Sequence, residues 1–227
     1  MKSIIFLLIA IFMVGCASES QQKGLDEIAA YYDANTSFSK NYSNSVGTKK
    51  ITTFNIKITD SKMLDSLRAD ITCSNIALML FDSFTEEEKK DYNYINVELI
   101  KKGNDTLSYS YNPEILNIGI DQVSIFTDFS EKLLAKDYKG VFNNIEPSLI
   151  QSNSLLQFTN YQTQFVNEHG NITAYKRYGF GVIKKEDGTQ VLSFSGFLTF
   201  NDGFVKPYYM TVSKQIDNNY VLGYSFE

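Results

Sequence analysis

The end of the chain constrains the fold most. Four runs follow one another there, "NITAYKRYGFGVIKK", "QVLSFSGFLTF", "FVKPYYMTVSKQI" and "YVLGYSFE". They are broken by Glu186-Asp187-Gly188, Asn201-Asp202-Gly203 and Asp217-Asn218-Asn219. Asp-Gly and Asn-rich breaks between alternating apolar and polar residues are the chemistry of tight hairpins, so the four runs predict an antiparallel meander. In the second run Leu192, Phe194, Leu198 and Phe200 face one way and Ser193, Ser195 and Thr199 the other. An antiparallel sheet with one apolar face needs a cover. The 15 Tyr and 17 Phe, with no Trp and only three Pro, suit sheets with aromatic faces.

Two helical regions precede the meander and are the expected cover. From Asp121 to Asp137 the apolar residues Val123, Phe126, Phe129 and Leu133 step at helical spacing, and a second region runs from about Glu146 to Glu168. The stretch "FSEKLLAKDYKGVF", with Ala135-Lys136-Asp137-Tyr138-Lys139-Gly140 as a break between two helices, resembles the nuclear-transport-factor-like cone fold found in bacterial lipoproteins. So does the closing "VSKQIDNNYVLGYSFE". The resemblance covers residues 121–227. It implies a cone-shaped pocket between helices and sheet, and no particular reaction, because such scaffolds host enzymes, binders and adaptors alike.

Upstream, "ITTFNIKIT" reads as a strand, Ser61 to Phe84 as one helix of about six turns, and "YNYINVELIKK" with "TLSYSYNP" as a hairpin around Gly103-Asn104-Asp105. The helix carries an apolar stripe of Leu64, Leu67, Ile71, Leu78 and Phe81, which Cys73 flanks as a small buried hydrophobe. Thr85 and Glu88 form a capping box, and the acidic run around them reads as a solvated turn. The expected fold class is therefore α+β: an N-terminal strand-helix-hairpin unit at 50–117, then helices and an antiparallel meander forming a cone at 118–227. Residues 16–49 are expected to be a tether and a flexible polar neck, with a short helix at Leu25 to Tyr32.

The first residues predict an address. Met1-Lys2-Ser3 gives a short basic start, Ile4 to Val14 is an unbroken apolar run of 11 residues, and small residues follow. That is a secretory signal layout, shorter than the roughly 20 apolar residues a spanning helix needs. Met13-Val14-Gly15-Cys16 resembles the lipobox of bacterial lipoproteins. The resemblance implies that residues 1–15 are removed, that Cys16 becomes the lipidated N-terminus, and that the protein is held on a membrane by its acyl chains. Ala17 in the second position implies the outer membrane by the sorting habit of enteric bacteria.

Candidate chemistry is sparse. The 21 basic and 26 acidic residues give a net charge of -5 with no basic stripe, which argues against nucleic acid as a partner. No phosphate loop, paired zinc histidines, nucleophile elbow or calcium loop occurs, so neither cofactor nor metal is expected. With Cys16 acylated, Cys73 has no mate for a disulfide. The single histidine, His169, is expected as an exposed helix-end residue. On the first meander strand Tyr175 and Arg177 share a face by alternation, and Tyr178 and Phe180 share the other. Inside a cone Arg177 would anchor a ligand carboxylate; on the outer face it would be a solvated surface cation. Tyr208, Tyr209 and Tyr224 are expected in the core or at its rim. The sequence thus points to an envelope lipoprotein with a non-catalytic binding or adaptor module, whose partner is an unidentified protein or small molecule. A small hydrolase or isomerase working through carboxylates or tyrosines in the cone, and a structural part of an envelope assembly, are the other readings.

Overall fold

The computed structural model describes residues 16–43, 50–103, 105–214 and 220–227. Residues 1–15, where the signal segment and most of the lipobox are expected, lie outside them, as do 44–49 of the expected neck and the third expected meander turn, Asp217-Asn218-Asn219. The described chain is α+β, with seven α-helices and two four-stranded sheets.

The first sheet has the order β1-β2-β3-β4, from β1 (Asn35–Ser43), β2 (Ile51–Thr59), β3 (Tyr94–Ile100) and β4 (Thr106–Tyr111). Strands β1 and β2 are antiparallel, β2 and β3 parallel, and β3 and β4 antiparallel. The parallel pair needs a long crossover, which α2 (Lys62–Ser66), α3 (Ala69–Ser83) and α4 (Glu86–Asp91) provide. The inner face of the sheet, Phe54, Ile56, Ile58, Ile95, Val97 and Leu99, is buried. Its outer face is polar: Lys57 pairs with Glu98 at 3.3 Å, and Asn96 Nδ2 donates to Asn55 Oδ1 at 3.0 Å.

Three sequence expectations change here. The tether and the described part of the neck, up to Ser43, are largely regular structure: α1 (Glu19–Tyr32) is capped by Ser18, and β1 follows it. Ser18, Ser20 and Gln21 all bond to Glu88, so the carboxylate that closes the α4 capping box also holds the start of α1. The neck reads as loop because it is polar, and β1 indeed buries little; Phe38, stacked on Phe54 at 5.5 Å, attaches it to the core. The expected six-turn helix is instead two helices with extended backbone at Leu67 and Arg68. Lys101 Nζ donates to the Leu67 carbonyl at 2.8 Å and the Lys102 amide to Asp65 Oδ1 at 2.8 Å, so the β3–β4 turn satisfies polar groups at the break. Finally, α5 (Pro113–Leu134) starts earlier than its apolar repeat, because Asn112 caps it and Pro113 occupies its first turn. The expected boundary at 117/118 therefore falls inside α5.

The second sheet is the meander β5-β6-β7-β8, from β5 (Ile172–Lys184), β6 (Gln190–Phe200), β7 (Val205–Ser213) and β8 (Val221–Phe226), with every pair antiparallel. Before it come α6 (Tyr138–Asn143), a 3-10 turn at Pro147–Leu149 and α7 (Ser154–His169). Its cover is wider than the two preceding helices. Helix α3 packs on β5 as well as on β3 and β4, and α5 packs on α3 and β5. Ten residues of α3, from Ala69 to Phe81 and on all sides of the helix, are buried. The two sheets consequently share one cluster of buried side chains.

The seam is close-packed. A Cβ on Gly119 of α5 would lie 2.8 Å from Phe180 Cζ and 2.9 Å from Leu78 Cδ1, and one on Gly196 of β6 would lie 2.6 Å from the Tyr208 ring and 2.7 Å from Phe126. Phe126 stacks on Tyr208 at 5.5 Å and meets Phe194 at 5.9 Å, joining α5 to β6 and β7. Tyr208 is fully buried, with its hydroxyl 2.5 Å from Ser130 Oγ; Tyr209 and Tyr224 are half-buried.

Candidate functional site

The side chains that the sequence singled out on β5 come to the seam. A cleft of about 310 Å³ opens where α1, α3 and α5 meet β5, lined by Tyr31, Met79, Phe126, Thr127, Tyr175, Lys176 and Arg177. Volumes near 300 Å³ are at the lower end of small-molecule sites. Larger grooves of about 440 and 570 Å³ run along the solvent faces of α7 and α1, each lined by side chains of one helix. Only the seam cleft among these three gathers polar and aromatic groups from several elements.

Arg177 is half-buried and faces α3. Its Nε donates to Asn75 Oδ1 at 2.7 Å, and Asn75 Nδ2 in turn donates to the Tyr32 hydroxyl at 2.7 Å. Asn75 and Tyr32 are both fully buried, so the guanidinium stem is fixed by a dry relay between α3 and α1. The Tyr31 hydroxyl donates to the Arg177 backbone carbonyl, while Lys176 Nζ donates to the Tyr31 carbonyl and lies 4.1 Å above the Tyr31 ring. Tyr31 and the adjacent cations thus lock one another, although Lys176 and Arg177 are sequence neighbours. Among the described residues no carboxylate is within ion-pair distance of Arg177; Asp82 acts on it only through space. Burial pulls Arg177 and Lys176 below their ordinary pKa values, and burial pushes the Tyr31 hydroxyl up to about 12.

Alternation along β5 places Tyr175 and Arg177 together, and both line the cleft. Past Arg177 the alternation changes. The register with β6 shifts between Arg177 and Gly179, a bulge that leaves Tyr178 as the extra residue. Phe180 therefore turns to the inner face against Phe194 at 5.6 Å, whereas Tyr178 stacks on Phe197 at 4.1 Å on the other. The expectation that Tyr178 and Phe180 share a face fails for this reason. Simple alternation carries no signal for the bulge, although Gly179, whose Cβ would meet Ser195 Cβ at 2.8 Å, marks the close approach.

Sequence reasoning also missed the contributors from α1 and α3. Asn75 is a polar residue inside an apolar helix, and it is there because the opposite side of α3 is also covered. Ser74 next to it donates to the Phe180 carbonyl, which ties α3 to β5. Cys73 is fully buried, and burial pushes its thiol up to about 12, so it packs as a small apolar residue.

His169 ends α7 but is not exposed as expected. Its Nδ1 lies 2.8 Å from Asp202 Oδ2, its ring stacks on Phe204 at 4.0 Å, and its Nε2 lies 3.7 Å from Glu168. The hydrogen bond from His169 holds the Asp202 carboxyl below its usual range. The pair clasps α7 to the β6–β7 turn, a role supported by the bond from the Asp202 amide to the His169 carbonyl at 3.3 Å. Cys16 is exposed, and its carbonyl accepts from Lys40 Nζ at 3.4 Å. Among the described residues no cluster of three or more His, Cys, Asp and Glu is arranged to hold a metal, and no helix is long and apolar enough to cross a membrane. No family model matches this chain, and no curated protein or solved structure does either.

Proposed function

We propose that this chain is a lipid-anchored envelope protein, held on the outer membrane through Cys16, whose folded part is a non-catalytic binding module. The observation that carries the binding half is the seam cleft. Its groups come from α1, α3, α5 and β5, and its cations are fixed by neighbours rather than paired with carboxylates. A preformed concavity with an aromatic wall and a few convergent polar groups is what a small-molecule site requires. The anchoring half rests on the resemblance of the N-terminus to a lipobox. It is compatible with an exposed Cys16 only three residues ahead of α1, an arrangement that would hold the fold close to the bilayer.

Fractionation of the full chain and of Cys16→Ser in a bacterial host tests the anchor. The native chain is expected in the detergent phase with an acyl-shifted mass, and the variant as unprocessed precursor or in the soluble fraction. Equal detergent partitioning of both, without acyl mass, would refute the anchor. Native mass spectrometry of the soluble chain from Ala17 onward tests the module: a small molecule of defined mass that leaves on Tyr175→Ala substitution is expected, and a mass unchanged by it argues against the cleft.

A further inference from the structure

The seam cleft has an unusual electrostatic state. Arg177 offers five N–H donors, and only Nε has a partner among the described residues. A half-buried guanidinium normally acquires a carboxylate, because burying a charge without one is costly. Here the fold supplies the Asn75 amide oxygen, itself held through the Tyr32 hydroxyl, in place of a carboxylate, and adds a second cation, Lys176, on the same cleft wall. Its ammonium is held by the Tyr31 carbonyl and ring. Glu131 is hydrogen-bonded to the Tyr175 hydroxyl and Asp82 acts on Arg177 through space, yet among the described residues neither forms an ion pair with the two cations. The rest of the wall is aromatic or apolar, with Phe126 and Tyr175 edge to face at 6.3 Å and Met79 beside them.

We propose that this cleft binds a small organic carboxylate, its anionic end taken by the Arg177 fork beside Lys176 and its apolar body laid against Tyr31, Tyr175 and Phe126. A planar guanidinium fixed at Nε presents its remaining donors in a geometry that matches a carboxylate, and two cations on one wall favour an anion over a neutral isostere. The bulge at Tyr178 sits immediately after Arg177 and separates the site from the meander's regular register. The inference rests on the binding-module reading and narrows it to a ligand class.

The test is titration of the soluble chain from Ala17 onward, followed by heteronuclear NMR, with three probes of similar shape: benzoate, benzyl alcohol and phenyl phosphate. Benzoate is expected to bind saturably with Kd of order 1 mM or tighter, shifting resonances of Tyr31, Tyr175 and the Arg177 side chain, and benzyl alcohol at least about tenfold more weakly. Arg177→Gln should weaken benzoate by about tenfold, and Arg177→Lys, which keeps the charge without the fork, by less. Because Arg177→Gln also breaks the Asn75 relay, Lys176→Gln serves as the second variant and should weaken benzoate while leaving the Arg177 and Asn75 resonances in place. Equal binding of benzoate and benzyl alcohol would overturn the carboxylate proposal and leave the binding module standing. Stronger binding of phenyl phosphate than of benzoate would overturn the choice of carboxylate in favour of a phosphate ester. No shift of cleft resonances by any probe at about 10 mM would overturn both readings.

Discussion

The two sheets have equal strand number but differ in how each finds its neighbours. In the second, every strand pairs antiparallel with the next one along the chain. In the first, β2 must wait for β3, since 34 residues of crossover separate Thr59 from Tyr94. That crossover contains α3, and α3 is where the two halves become interdependent: it covers the first sheet from which it springs and also β5 of the second. A meander can be specified locally, whereas a parallel pair obliges the chain to put a helix across a face, and that helix has a far side which something else must bury. Here the second sheet buries it, and the cleft lies where that packing ends.

Substitutions at the seam and away from it test this difference. The largest effect is expected from Phe126→Ala at the seam. Phe126 is 1% exposed and meets Tyr208, Phe194 and Tyr175, so its loss should cost about 3–5 kcal/mol. Urea unfolding followed by far-ultraviolet circular dichroism and by tyrosine fluorescence should show one shared, lowered midpoint; a drop confined to one probe would separate the sheets. Next is Gly119→Leu, where the added side chain enters the Phe180–Leu78 contact and should cost about 1–3 kcal/mol. Gly181→Ala, with open space where its Cβ would go, is the control and should change the midpoint little. Equal effects at the two glycines would argue that the α3–α5–β5 contact is not tight.

A smaller effect belongs to Glu88, in the first half alone. Partial burial pushes its carboxyl pKa up, but hydrogen bonds from Ser18, Ser20 and Thr85 outweigh this and leave it below the usual value. A lowered folded pKa contributes stability that is present above the unfolded value and is lost as pH falls through the folded one. Glu88→Gln should therefore lower stability at neutral pH and flatten the acid limb of the stability curve. An acid limb identical to that of the native chain would remove Glu88 from the account.

What was legible in the sequence follows the same division. The meander, the hairpin of β3 and β4 and the strand β2 were readable because their signals are local alternation and turn residues. Strand β1 was not, since "NTSFSKNYS" alternates polar with polar apart from Phe38 and Tyr42, and its pairing with β2 supplies the missing constraint. The apolar stripe placed a helix at α3, but a stripe on one face predicts a one-sided helix. Polar Thr72, Ser74 and Asn75 are all buried, which a stripe on one face gives no reason to expect. For the cleft, Tyr175 and Arg177 followed from alternation on one strand. Tyr31, Asn75 and Lys176 did not, because their meeting depends on α1 and α3 docking on β5 across more than a hundred residues. A half-buried Arg and a surface Arg have the same sequence signature; burial and the Asn75 relay separate them.

Native-state hydrogen exchange on the soluble chain tests the shared core most directly, with amides followed in β2, α3, β6 and β7. The slowest amides of all four elements are expected to report the same opening free energy, because removing α3 from either sheet uncovers both. Exchange of β6 and β7 through an opening that leaves α3 and β2 protected would show two independently stable halves and contradict the account.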